Sequence, residues 1–171
     1  MICVLTGNGK GKTTSAMGQI LRALGRKQNV CLIQLFKDAD FYGEQKILVT
    51  LKHIDFYAFA PRHPYCVKEV PMKRVKKQCG QALACFEKIV NGKKKYGLIV
   101  LEEFNIALRE KLIDFKDLHL LLEQCDPTAN VVITGRGAPQ ELISYADLVT
   151  EMKEIKHPYA LGVPAREGWE F

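Results

Sequence analysis

The run Ile2-Cys3-Val4-Leu5 passes directly into Thr6-Gly7-Asn8-Gly9-Lys10-Gly11-Lys12-Thr13-Thr14, and this junction decides the fold. Four apolar residues fit a buried strand, and Ala16, Ile20, Leu21 and Leu24 then recur at helical spacing. Strand, glycine-rich loop and helix together aim successive backbone N–H groups and a helix N-terminus at one anion. Gly7, Gly9 and Gly11 let the backbone approach phosphates closely. Lys12 supplies a point charge, and the Thr13 hydroxyl is placed to ligate magnesium. Thr6 stands where the first glycine of the common GxxxxGK[ST] string would be. The expected ligand is a nucleoside triphosphate, held by residues from Thr6 to Thr14.

The remainder of the chain is consistent with one domain spanning residues 1–171. A length of 171 residues supports a substantial core, and 47% hydrophobic with 26% charged residues is ordinary for a globular protein. No apolar run approaches the roughly 20 residues of a membrane span, and no basic-then-apolar leader precedes the first strand. The cytoplasm is the expected location, with no membrane partner. Cys3, Cys31, Cys66, Cys79, Cys85 and Cys125 form no CxxC pair and read as reduced thiols. The net charge of +6 owes much to Lys73, Arg74, Lys76 and Lys77 and to Lys93, Lys94 and Lys95. The first group alternates with Val75, Cys79, Ala82 and Phe86 at helical spacing and reads as a solvated face. The second follows Asn91-Gly92 at a helix end. No aromatic residues interleave these lysines, so no nucleic-acid partner is expected.

Strands are expected at Ile2–Thr6, Val30–Phe36, Ile54–Ala58, Gly97–Glu102, Val131–Thr134 and Leu148–Glu151. Helices are expected at Thr13–Gln28, Val70–Val90, Phe115–Gln124 and Pro139–Tyr145. Their alternation implies an α/β fold, with a mainly parallel sheet between two helical layers. Ligands then bind beyond the carboxyl ends of the strands. The tail from His157 onward reads as irregular.

Two further motifs belong at those strand ends. Leu98-Ile99-Val100-Leu101 runs into Glu102-Glu103, where a carboxylate faces magnesium in phosphate-loop proteins. Strand alternation would send the two carboxylates to opposite sides. Thr134-Gly135-Arg136-Gly137 follows Val131-Val132-Ile133. Arg136 is either a forked donor to a phosphate or a turn arginine in a surface ion pair.

Taken together, TGNGKGKTT, VLEEFNIAL, VVITGRGAP, LVTEMKEIKHPY and LGVPAREGWEF resemble the corrinoid adenosyltransferases of the phosphate-loop type. The similarity runs from Ile2 to Phe171, and the family's loop likewise reads TGNGKGKT. The resemblance implies a P-loop NTPase (RecA-like) architecture and a homodimer. It implies transfer of the 5′-deoxyadenosyl group of ATP to a cobalt(I) corrinoid, with release of intact triphosphate. Cobalt supplies the nucleophile, so the protein's task is positioning and electrostatics. Carried over by position, Lys12, Thr13, Glu103 and Arg136 are the catalytic set. Thr13 and Glu103 attend Mg2+ or Mn2+. Relatives typically carry Asp-Glu at the strand end, so Glu103 is matched, while Glu102 departs from the pattern and is only an alternative metal residue. Relatives take electrons from reduced flavin or flavoproteins, which makes a flavoprotein reductant the expected partner.

The corrinoid side departs from the family pattern. Relatives place aromatic residues after the third strand to displace the lower axial ligand. This chain reads FYAFAPRHPYC there, without the Phe-x-Trp some relatives carry. Phe59, His63 and Tyr65 are the candidates, joined by Phe41 in FKDADFYGE, which resembles the family's second corrinoid-facing segment. The KHxFDxG element of the tail is KHPYALG. The N-terminal cover of some relatives is expected to be absent or supplied differently. Two other readings compete: a phosphate-loop ATPase or kinase, and a nucleotide- or corrinoid-binding module with an altered second site.

Overall fold

The computed structural model describes residues 1–38, 41–59 and 70–171. Six strands form one parallel sheet: β1 (Ile2–Thr6), β2 (Val30–Leu35), β3 (Ile54–Phe59), β4 (Leu98–Glu102), β5 (Asn130–Thr134) and β6 (Leu148–Glu151). Their spatial order is β3-β2-β4-β5-β1-β6, so β5 lies between the strand of the glycine loop and the strand ending in Glu102. The helices are α1 (Lys12–Gly25), α2 (Gly43–Leu48), α3 (Met72–Val90), α4 (Phe104–Arg109), α5 (Phe115–Glu123) and α6 (Gln140–Tyr145).

Period-two alternation splits each central strand between two cores. Cys31, Ile33 and Leu35 of β2 and Ile99 and Leu101 of β4 join one core with Val75, Cys79, Ala82 and Phe86 of α3. Val30, Leu32, Leu98 and Val100 face the opposite core with Ala16, Met17, Ile20 and Ala23 of α1. Both faces of the sheet are therefore covered, which explains why these strands read as continuous apolar runs. Burying a side chain such as Phe86 or Ile20 contributes about 1.5–3 kcal/mol. Edge strand β6 is exposed throughout.

The six expected strands all form, with ends shifted by one residue at most. Phe36 falls outside β2 because its backbone turns left-handed, at φ 59°. Helix α3 begins at Met72 rather than Val70, since Val70 precedes Pro71 and the α region is disfavoured there. Helix α1 stops at Gly25, and Lys27 at φ 59° reverses the chain before the expected end at Gln28. Helices α2 and α4 were not expected, and neither was a 3-10 turn at Pro158–Leu161 in the tail. Each of the two helices has six residues, too few for a periodic signature to stand out.

The lysines of the first basic group are exposed on α3 as expected. Lys94 pairs with Asp55 at 2.6 Å and Lys95 with Asp126 at 2.9 Å. Cys3, Cys31, Cys79, Cys85 and Cys125 are free thiols, and burial pushes the pKa of each upward; Cys66 lies outside the described residues. Among the described residues no helix is long and apolar enough to cross a membrane.

Candidate functional site

The loop between β1 and α1 is shaped by contact with the chain just beyond β6. Gly7 and Gly11 adopt left-handed backbone, at φ 96° and 118°. The Gly9 N–H donates to the Met152 carbonyl at 2.7 Å. A Cβ on Gly9 would stand 2.7 Å from that same oxygen and 2.8 Å from the Lys153 carbonyl oxygen. Close packing thus requires glycine at position 9, dihedral angle requires it at 11, and both require it at 7. Thr6 is buried, and its hydroxyl accepts the Ala138 N–H at 3.0 Å, tying the loop to the turn after β5. That contact gives a physical reason for threonine where glycine is usual.

Lys12 is buried inside the loop, where its Nζ donates to the Gly7 and Gly9 carbonyls at 2.7 Å each. Burial pulls its pKa below the ordinary lysine value, with Arg136 adding to the effect and Glu103 and Glu102 opposing it. No side chain caps α1 at Gly11, so its first N–H groups face the loop uncapped. Asn8 and Thr14 are exposed at the rim.

The acidic pair lies across the loop from Lys12. Glu102 is fully buried at the end of β4. One of its oxygens accepts from Thr13 Oγ1 at 2.5 Å and Lys37 Nζ at 3.1 Å; the other accepts from Thr134 Oγ1 at 2.5 Å. Glu103 takes a left-handed backbone, φ 65°, so strand alternation stops before it and the opposite-sides expectation does not apply. Its N–H donates to Thr134 Oγ1 at 3.1 Å, while its buried Oε2 has no hydrogen-bond partner. Burial, and then the charge of Glu102, push the Glu103 pKa up to about 7. The carboxylate in direct contact with Thr13 is that of Glu102.

Arg136 is exposed in the turn after β5, close enough for its charge to act on Lys12 and Glu103. The flanking Gly135 and Gly137 both have positive φ, as the turn reading requires.

Three site residues escaped the sequence reading. Lys37 is buried just past the end of β2, between Thr13 and Glu102. Burial alone would lower its pKa, but Glu102 and Glu103 more than offset this and hold it charged. A lysine directly following an apolar strand was the available signal. Thr134 ends β5 and bridges both acidic residues. Asn105 donates to the Leu5 carbonyl at 3.1 Å and the Gly135 carbonyl at 2.9 Å, fastening two strand ends together.

A second region adjoins the loop. Lys10 Nζ donates to the Trp169 carbonyl at 2.9 Å and Glu170 Oε1 at 3.1 Å, and lies 4.9 Å from the Trp169 ring centre. Phe41 is half exposed and stacks on Phe171 with ring centres 5.0 Å apart. The tail therefore reaches back to the strand ends. Phe59, at the end of β3, is partly buried against the core. His63 and Tyr65 lie outside the described residues.

Comparison with known proteins extends these observations to the whole chain. The family model described as ATP:corrinoid adenosyltransferase BtuR/CobO/CobP matches residues 1–171. A corrinoid adenosyltransferase of Sinorhizobium sp. is 33% identical, the match covering 100% of this chain and 80% of the relative. One from Pseudomonas aeruginosa is 30% identical, covering 100% and 83% respectively. One from Salmonella typhimurium is 28% identical, covering 100% and 85%. In fold, the chain is similar to the KaiC-like protein PH0186 of Pyrococcus horikoshii, with a TM-score of 0.51 and 14% identity over 91% of this chain and 74% of that one.

Proposed function

The chain belongs to the ATP:corrinoid adenosyltransferase family, a family of transferases, and from that premise we propose the reaction and the role of each site residue. The 5′-deoxyadenosyl group of ATP passes to the cobalt of a reduced corrinoid, cob(I)alamin or a precursor, in adenosylcobalamin biosynthesis or salvage. Cobalt(I) supplies the electron pair for a new cobalt–carbon bond. The bond between C5′ and the triphosphate oxygen breaks, and its electron pair leaves with triphosphate. Cobalt is formally oxidised by two electrons. No protein nucleophile is needed.

The observation that carries this reading is the buried Lys12 ammonium, coordinated by the Gly7 and Gly9 carbonyls inside a loop whose helix is uncapped. Such a cradle stabilises charge that grows on a leaving triphosphate. Lys10, Asn8 and the N–H groups from Lys10 to Thr14 line it, and Arg136 grips the phosphates from the turn after β5. Holding three phosphates fixed leaves C5′ oriented toward the second substrate.

A divalent cation, Mg2+ or Mn2+, fits the residues present. Thr13, Glu102 and Glu103 offer hard oxygen donors, and the buried Glu103 Oε2 lacks a partner. When bound, the ion neutralises triphosphate charge. Phe41 and Phe59, with His63 and Tyr65, form the corrinoid-facing set. A homodimer, a flavoprotein reductant, a cytoplasmic location and a single catalytic unit over residues 1–171 complete the proposal.

A second reading has one specific observation in its favour. A carboxyl held near pH 7, as Glu103 is, suits a base that activates water for phosphoanhydride cleavage. The products separate the two. Incubation with ATP, Mg2+ and chemically reduced corrinoid is expected to give adenosylated corrinoid and intact triphosphate. ADP and phosphate without a cobalt–carbon product would overturn the transferase reading.

A further inference from the structure

We propose that Lys37 is a positioning residue: a tethered cation that shares the metal seat and links its occupancy to the segment leading into α2. The inference rests on reading Thr13 and Glu102 as donors to a divalent cation.

The geometry is specific. The Lys37 ammonium stands 3.1 Å from Thr13 Oγ1 and 3.1 Å from Glu102 Oε1, the two oxygens already joined by the Thr13 hydrogen bond. It is buried, and Glu102 is fully buried beside it, so their attraction is weakly screened. A divalent ion taking those oxygens would meet a fixed positive charge at close range. The ammonium must then leave Glu102. Glu103 also acts on its charge, but its second ion-pair partner is Glu44 of α2, with Oε1 already 4.0 Å away, and the Tyr42 ring centre lies 4.8 Å from it. Rotation about the lysine stem is enough to exchange one carboxylate for the other, without movement of the sheet.

Two consequences follow for the reaction. Without metal, Lys37 keeps Glu102 from repelling the triphosphate, so nucleotide enters a site that is already neutralised. With metal, the displaced ammonium pulls on Glu44 in the first turn of α2. Tyr42 and Phe41 directly precede that turn, and Phe41 carries the stack with Phe171. Filling the phosphate side thereby tightens the segment assigned to the second substrate.

The test compares affinity for Mn2+–ATP with affinity for ATP in a chelator, by calorimetry. The ratio measures the metal's contribution. Lys37→Met is expected to raise that ratio at least tenfold over wild type, since the tethered cation is gone and Glu102 is left uncompensated. An unchanged or lower ratio overturns the inference. Thr13→Val, measured alongside, tests the seat itself. If wild type and Thr13→Val both show no metal preference, the seat reading fails and takes the inference with it. If Thr13→Val lowers the ratio but Lys37→Met does not raise it, the seat stands and the inference alone falls. Glu44→Gln changes a half-buried side chain outside the core and leaves the fold intact. Hydrogen exchange at Gly43–Leu48 is expected to slow on adding Mn2+ to ATP-bound wild type and not in Glu44→Gln. Equal slowing in both would break the proposed link to α2.

Discussion

The phosphate loop and the aromatic surface beside it are built in opposite ways. From Gly7 to Lys12 the loop is held by its own buried lysine, by the Met152 carbonyl and by the Thr6 tie to Ala138. Each contact is made by backbone or by a buried side chain. The neighbouring surface consists of a half-exposed Phe41, a tail ring stacked upon it, and exposed ionic contacts from Lys10. The difference follows from the ligands proposed for each. Triphosphate is small, charged and demanding in geometry, and it rewards rigidity. A broad apolar macrocycle rewards area, which aromatic rings supply from many arrangements.

Variants at Lys12 should sharpen the contrast most. Lys12→Ala is expected to lower adenosyl transfer by about 10³-fold, as loss of a preorganised charge donor does, while corrinoid affinity changes little. Steady-state transfer together with corrinoid binding measures both, and near-normal turnover would remove the loop from catalysis. Gly9→Ala comes next. Its methyl would meet the Met152 and Lys153 carbonyl oxygens, so stability should fall by about 1–3 kcal/mol, with ATP affinity falling too. A melting curve and ATP titration matching wild type would show that the loop is not held as described.

Effects on the aromatic side should be smaller and of another kind. Phe41→Ala is expected to change stability by no more than about 0.5 kcal/mol, as exposed positions do, and to leave ATP affinity intact. The KM for corrinoid should rise several-fold. A change in ATP affinity instead would erase the division between the two regions.

The smallest effect concerns the tail. The Arg166 side chain, then its backbone N–H and Lys10, hold the Glu170 carboxyl well below the ordinary 4.5, at about 2. A depressed carboxylate pKa means that this contact is fully present above pH 4.5 and weakens as pH falls toward 2. Carbon NMR of the Glu170 carboxyl should show a midpoint near 2 that moves back toward the ordinary value in Arg166→Ala. An ordinary midpoint in wild type would detach the tail from Lys10.

The same division governs what the amino-acid order made legible. The strands stood out because β2 and β4 are buried on both faces and carry no polar alternation beyond Gln34 and Glu102. The glycine loop stood out because positive φ and a close carbonyl leave glycine few substitutes. Lys37, Thr134 and Asn105 did not, since their roles depend on strand order: β5 must lie between β1 and β4 before Thr134 can touch both acidic residues. The side on which Glu103 lies was not legible for a local reason, a single left-handed residue that ends strand alternation one position early. The aromatic surface was least legible, because any of several rings can serve it.

The chain's single tryptophan lies where an optical label would otherwise be engineered. Trp169 is largely exposed, with the Lys10 ammonium 4.9 Å from its ring centre and Arg166 at 5.8 Å. Indole emission responds to a neighbouring cation, and Lys10 belongs to the loop proposed to grip phosphate. A ligand that draws Lys10 inward removes one cation from the ring. The unlabelled protein thus carries a single indole beside a cation of that loop, so any change in the Lys10 contact falls on one chromophore of its kind.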